Sequence, residues 1–115
     1  MPDNLTIDVA KEFSRFPAGR IRRDGRYSGQ RFREEILVPA LEKVKTGGAV
    51  TVEMDGAVGY GPSFLEEAFG GLVRVERLDK TFLKEHLKIS TMISSRKQMI
   101  WQDIEQANPD IAYQD

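Results

Sequence analysis

The stretch Val50-Thr51-Val52-Glu53-Met54-Asp55-Gly56-Ala57-Val58-Gly59-Tyr60-Gly61-Pro62-Ser63-Phe64-Leu65-Glu66-Glu67-Ala68-Phe69-Gly70-Gly71-Leu72-Val73 reads as strand, glycine-rich loop and helix. Val50, Val52 and Met54 alternate with Thr51, Glu53 and Asp55, the pattern of a half-buried strand. After the loop, Phe64, Leu65, Ala68, Phe69, Leu72 and Val73 fall on one helical face, with Glu66, Glu67 and Arg74 on the other. Ser63, followed three residues later by Glu66, fits a capping box whose serine oxygen accepts from a first-turn amide. Pro62 in front of it steers the chain away from helix. Gly70 and Gly71 each cost a helix about 1 kcal/mol, so their position predicts a neighbour packed close to the backbone.

Working outward, Leu5 to Val9 alternates and reads as a first strand. Residues 11–27 form a long irregular segment with Pro17, Gly19 and Gly25, in which Arg20-Ile21-Arg22 reads as a short extended piece. Loops of this length inside a small domain are uncommon and often functional. Ser28-Gly29 opens a helix to about Lys45, with Phe32, Ile36, Leu37, Ala40, Leu41 and Val44 on its apolar face. Pro39 is expected to kink or divide it, and Gly47-Gly48 ends it. Asp79 caps a short helix, and Leu87 to Ile93 contains a third strand. Ser95, with Gln98 three residues on, opens a last helix carrying Ile100, Trp101 and Ile104, stopped by Asn108-Pro109. The tail from Asp110 to Asp115 is expected to fray. This order predicts an α/β fold: one domain over residues 1–115, with a small, mainly parallel sheet and helices chiefly on one face.

Composition narrows the function classes. The chain has 115 residues, 40% hydrophobic and 30% charged, and no cysteine. That excludes disulfides, thiolate metal sites and a cysteine nucleophile. No run of about 18 apolar residues suggests a membrane span, and the opening Met1-Pro2-Asp3-Asn4 lacks the basic and apolar parts of a signal peptide. A cytoplasmic protein is the expectation. The net charge of −1 hides an asymmetry. Arg15, Arg20, Arg22, Arg23, Arg26, Arg31 and Arg33 stand against Asp24 alone, a net of +6 that leaves −7 on the rest. Arginine forks suit bidentate phosphate or carboxylate contacts, so Arg15, Arg20, Arg22, Arg23 and Arg26 are candidate anion-binding residues. The competing reading is a solvated loop paired to carboxylates of the same fold.

The seam between strand and helix is the candidate working surface. Ser63 is either a plain cap or a phosphorylatable one, because a phosphate at a helix start meets free amides and the positive dipole end. Gly56, Gly59 and Gly61 are either turn formers or a backbone cradle, and the lysine and Ser/Thr of a P-loop are missing. Tyr60, between two glycines, is expected to be exposed as a partner anchor. Asp55 is expected to orient the loop. Glu66 and Glu67 are adjacent and point about 100° apart, so they are not a catalytic pair. His86 is the only histidine; with no cysteine to join it, no metal site or cofactor is expected. No nucleophile–base–orienter set is found, so no catalytic residue is assigned.

The strand Thr51-Val52-Glu53-Met54-Asp55-Gly56, with Ser63 opening the helix after its loop, resembles the STAS fold of anti-sigma-factor antagonists. The run from Gly59 to Arg74 looks more specifically like a bacterial STAS-like family of unknown function. So do Ile7-Asp8-Val9-Ala10-Lys11-Glu12-Phe13-Ser14-Arg15 and the helix from Phe32 to Glu42. The resemblance covers nearly the whole chain. It implies the fold and no established activity; with the antagonists as guide, the chain is expected to be a non-catalytic regulatory domain that binds a partner protein, a histidine-kinase-like ATPase, through Gly56 to Ser63 and the exposed side of the following helix. It places Ser63 at the phosphorylated position of the antagonists. Those proteins carry Asp and Ser just before it, where Gly61 and Pro62 stand here. Ser63, Tyr60, Gly59, Gly61, Glu66 and Glu67 are therefore the candidate phosphorylation or partner-contact residues. The alternative is a nucleic-acid-backbone-binding accessory protein, of a mobile element or defence system, using Arg15 to Arg33. The slightly negative whole chain and the absence of a nucleic-acid motif argue against it.

Overall fold

The computed structural model describes residues 3–109; the expected frayed tail from Asp110 lies outside them. Three strands, β1 (Asp3–Asp8), β2 (Gly48–Glu53) and β3 (Leu87–Ser90), form a fully parallel sheet in the order β1-β2-β3. Leu5 and Ile7 lie level with Val50 and Val52, and these with Leu87 and Ile89. These rows point into the core, while Thr6, Thr51 and Lys88 form a row on the opposite, polar face. The helices cover one face, as the alternation requires: strands hydrophobic on one side only can be buried on one side only.

The first crossover begins with α1 (Val9–Glu12). Asp8 caps it by accepting from the Lys11 amide at 3.2 Å, so β1 ends one residue earlier than its alternation suggests. In the arginine segment Ile21 is extended, as expected, but the extended piece stops there, because Arg22 opens a turn. The Asp24 carboxylate accepts from the Arg20 and Ile21 amides and folds Arg22–Asp24 into a 3-10 turn. Helix α2, residues 29–43, is capped by Ser28, whose Oγ accepts from the Arg31 amide. It runs as Gly29–Phe32, a π turn over Arg33–Leu37, and Val38–Lys43. Pro39 divides it through this π turn rather than by a break. The Val38 amide donates to Arg33 O, five residues back, and the wider turn absorbs the missing proline N–H.

At the start of β2, Gly48 has φ +98°, and a side chain there would drive a Cβ to 1.6 Å from Asp3 O. Only glycine fits that close approach of β1. Helix α3, residues 62–74, also contains a π turn, Glu66–Gly70, between Pro62–Leu65 and Gly71–Arg74. Helix α4 (Lys80–His86) is capped by Asp79 as expected and leads directly into β3. Helix α5 (Ser94–Gln106) follows Ile93 and has no side-chain cap, so Ser95 lies inside the helix rather than opening it.

The core joins Ile7, Val50, Val52, Leu87 and Ile89 to Phe32, Leu37, Phe64, Phe69, Leu72, Leu83, Ile100 and Ile104. Trp101 packs against it half-buried. Among the described residues no helix is long and apolar enough to cross a membrane.

Candidate functional site

In a parallel sheet all carboxyl ends point the same way, and ligands and partners meet the loops there. Three loops leave this end, after β1, β2 and β3, and they are tied together. The Val58 amide donates to Arg15 O at 2.8 Å, joining the first loop to the second. Asp55 joins the second to the third: its carboxylate accepts from Thr91 Oγ1, from the Met92 amide at 2.6 Å and from Arg96 Nη1 at 2.9 Å. Those hydrogen bonds, from Thr91 first, hold its carboxyl below the usual range. Asp55 therefore orients a loop, as expected, but it is the one after β3. On this scaffold four large apolar side chains face solvent: Phe16 is 67% exposed, Val58 70%, Met92 95% and Ile93 46%.

Several expected site residues are placed differently. Ser63 is not the cap. Pro62 takes the first helical position, which its fixed φ suits, so Gly61 becomes the N-cap and Ser63 stands one turn position further in, exposed. Ser63→Ala is accordingly expected to move stability by no more than about 0.5 kcal/mol in urea unfolding. A loss of a full capping contribution, about 1 kcal/mol, would restore the capping role.

Tyr60 is not a free anchor. Its hydroxyl donates to Met54 O at 2.7 Å, its ring lies against Phe64, and the Arg96 guanidinium sits 4.8 Å above it. Burial raises its phenol well above the ordinary value. Gly59 and Gly61 have no positive φ, and a Cβ on either would meet nothing within 4 Å. Nothing within the fold demands glycine there, so they neither form a special turn nor fill a tight gap. They leave bare backbone beside the exposed Val58.

Glu66 and Glu67 are not on a solvent face. Arg20 and Arg74 both donate to Glu66 and approach Glu67, and Glu67 is buried. Burial works to raise the Glu66 carboxyl, but the hydrogen bonds from Arg74 and Arg20 outweigh it and hold it below the usual range. The exposed side of α3 expected to meet a partner is thus occupied from within. At the centre is Arg33, 2% exposed, which composition alone had counted with the loop cations. Its Nη1 donates to Glu67 O at 2.6 Å and Glu67 Oε2 at 2.7 Å, and its Nε to Glu76 Oε2 at 3.0 Å. The two π turns face each other here, Arg33 opening one and Glu67 lying in the other. Gly71 makes the room: a Cβ on it would stand 2.3 Å from Arg33 Nη1. This is the close neighbour that the glycine pair predicts.

The remaining arginines divide. Arg22 pairs with Glu34 and Glu35, and Arg31 with Glu35. Arg15, Arg23 and Arg26 have no ion pair among the described residues. Among the described residues, no group of three or more His, Asp or Glu side chains is arranged to hold a metal. His86 is half-buried, its Nδ1 2.6 Å from Gly48 O.

Asp103 on α5 was not singled out by the sequence. Its Oδ2 is buried without a hydrogen-bond partner among the described residues. Burial first, and then the Glu66 charge, push its carboxyl from an ordinary 3.8 up to about 6. The raised value means that the folded protein holds a proton the unfolded chain has released between those limits. Stability therefore falls as pH rises from 4 towards 6, and the full penalty persists above 6. Two pKa units correspond to roughly 3 kcal/mol. Partial solvent access reduces this, and Asp103→Asn is expected to add about 1 kcal/mol at pH 7.5 and nothing near pH 4. Urea midpoints at the two pH values test it, and equal shifts at both would refute the protonation argument.

A model of the STAS-like domain of unknown function matches residues 28–95, which takes in α2, the whole of β2 and α3, α4 and β3. The arginine loop before residue 28 lies outside the match, so the likeness is narrower than the near-complete one the sequence suggests. No curated protein and no solved structure matches the chain. With a parallel sheet covered on one face by helices and the family match spanning its centre, the chain belongs to the STAS-like domain family of unknown function.

Proposed function

We propose that this chain is a non-catalytic, cytoplasmic regulatory domain that binds a partner protein through the three loops at the carboxyl end of its sheet. The observation that carries this reading is the set of four exposed apolar side chains, Phe16, Val58, Met92 and Ile93, on loops cross-tied by Asp55 and by the Val58–Arg15 contact. Apolar side chains clustered on one end of a small soluble fold mark contact surfaces. Bare backbone at Gly59 and Gly61 leaves room for close approach. The partner is a histidine-kinase-like ATPase, by analogy with the antagonists that this family resembles. Ser63 is the switch: it is exposed at the start of α3, where an added phosphate of about −2 charge enters the contacted surface. The nucleic-acid reading is disfavoured because Arg20 and Arg33, two of the cations it draws on, are locked against carboxylates across the fold.

The test is binding of the purified protein to a histidine-kinase-like ATPase from the same organism, followed by isothermal calorimetry. Val58→Asp and Met92→Asp are expected to weaken binding at least about tenfold, as for residues central to an interface. Both side chains are exposed, so urea midpoints should stay where they are. Ser63→Asp should weaken binding likewise. Equal affinity for wild type and all three variants would remove this surface from the reading.

A further inference from the structure

The arginine loop from Ala18 to Tyr27, which precedes the family match, holds a second feature away from the apolar contact surface. It is rigidly built. The Ala18 amide donates to Tyr27 O, the Gly29 amide to Gly19 O, the Gln30 amide to Arg20 O, and the Arg22 amide to Gln30 Oε1. Its only acid, Asp24, spends its carboxylate on the Arg20 and Ile21 amides. The loop and the first turns of α2 border a shallow, open concavity of about 410 Å³ lined by Arg22, Gly25, Arg26, Arg31 and Glu35.

The donors in this concavity are only partly used. Glu35 accepts from Arg31 Nε at 3.1 Å and from Arg22 Nη1 at 3.1 Å, and these hydrogen bonds hold its carboxyl below the usual range. Arg22 also grips Glu34 through Nε and Nη2. Arg31 Nη1 donates to Arg26 O at 2.9 Å, which fixes the guanidinium across the wall. That leaves Arg31 Nη2 and the whole Arg26 guanidinium without a hydrogen bond among the described residues, the latter 5.7 Å from the Tyr27 ring centre. Three guanidiniums here face two carboxylates, and Arg23 in the same turn is exposed and unpaired among the described residues. The wall therefore carries surplus positive charge, a free Arg31 Nη2 on a guanidinium held in place, and the exposed fork of Arg26.

We propose that this concavity between Arg22, Arg26 and Arg31 binds a phosphate monoester group. A phosphate with three terminal oxygens takes up the whole Arg26 fork and the free Arg31 Nη2 together, with exposed Arg23 adding charge in the same turn, which a two-oxygen carboxylate does less well. Glu35 is already bound on both oxygens, so it orients the two arginines and confines the anion to the Arg26 side.

The test is a titration of the ¹⁵N-labelled full chain with inorganic phosphate, followed by amide shifts at 0.15 M salt. Saturable shifts confined to residues 22–35 are expected, and Arg26→Ala should weaken them at least about tenfold with the rest of the spectrum unchanged. Acetate at equal concentration should produce no comparable response. Phosphatidylcholine vesicles containing phosphatidic acid and a single-stranded oligonucleotide are the source arms. Vesicle binding lost in Arg26→Ala would identify a lipid headgroup as the carrier of the same phosphate chemistry. The proposal is overturned by the absence of saturation, by shifts that persist in Arg26→Ala, or by an equal response to acetate. Oligonucleotide binding tighter than phosphate and spread over Arg15 to Arg33 overturns it in favour of a nucleic-acid surface.

Discussion

Arg33→Ala is expected to be the most damaging single change in this protein, costing about 3–5 kcal/mol in urea unfolding. The side chain is fully enclosed, and its removal leaves the buried Glu67 carboxylate and Glu67 O without their nearest donor, and Glu76 without its partner. A buried charge stripped of its partner costs far more than the pair contributes when intact. Most domains of this size have only 5–15 kcal/mol in hand, so a largely unfolded variant at 37 °C is within the expected range. Arg33→Lys is expected to recover little, because an ammonium cannot reach Glu67 O, Glu67 Oε2 and Glu76 Oε2 as a fork does. A loss below about 1 kcal/mol for the alanine variant would show that Arg20 and Arg74 suffice to hold Glu67, and that Arg33 is a bystander.

Gly71→Ala is expected to destabilise by about 2–3 kcal/mol, although the same change inside an ordinary helix stabilises by about 1 kcal/mol. The difference in sign comes from one distance. A Cβ at position 71 falls 2.3 Å from Arg33 Nη1 and 3.1 Å from Arg33 Cδ. Arg33 is held from three sides and cannot swing away without giving up its hydrogen bonds. The two changes therefore couple. In an Arg33→Ala background the methyl at 71 enters space already vacated, and Gly71→Ala should cost about 1–3 kcal/mol less there. A double-mutant cycle on urea midpoints measures it. Additive effects would separate the glycine from the arginine and leave its place in α3 without this explanation.

Two carboxyls of this region, Glu66 and Asp103, have pH dependences of opposite sign. Glu66, held low by Arg74 and Arg20, contributes stability above the ordinary carboxyl range that is lost as pH falls through its folded value. Asp103, held high by burial and by Glu66 itself, does the reverse. The Glu66 carboxyl and the Asp103 main-chain carbonyl both lie close to Gly70, whose absent side chain would meet Glu66 Oε2 at 2.6 Å and Asp103 O at 3.3 Å. The glycine pair thus serves two neighbours, one on α2 and one on α5.

Much of this was legible from residue order. Alternation in Leu5 to Val9, Val50 to Asp55 and Leu87 to Ile93 located three strands, the third of which ends at Ser90, because a side-chain period of two is a local property of the chain. Ser28 and Asp79 announced helix starts, and the structure has both oxygens accepting the expected amides. The parallel order followed from helices lying between strands. Ser63 and Ser95 misled for one reason: a cap depends on which residue first turns helical. Pro62 moved that point forward in α3, and in α5 the chain turned at Ser94.

What the sequence by itself determined was the three strands, the four longer helices and the one-sided sheet. These rest on periodicity and turn chemistry, which neighbours in the chain decide. The tertiary structure alone decided the fate of the charges. Arg20, Arg33, Arg74, Glu66, Glu67 and Asp103 are spread over 84 positions of the chain, and no local pattern tells a solvated cation from one locked against a carboxylate across two helices. Burial of Glu67, and an Asp103 Oδ2 with no hydrogen-bond partner among the described residues, follow from how α2, α3 and α5 pack, while the surplus charge around Arg26 follows from how the arginine loop folds onto α2. Electrostatic energy depends on distance and local polarity, and both are set only when the helices meet.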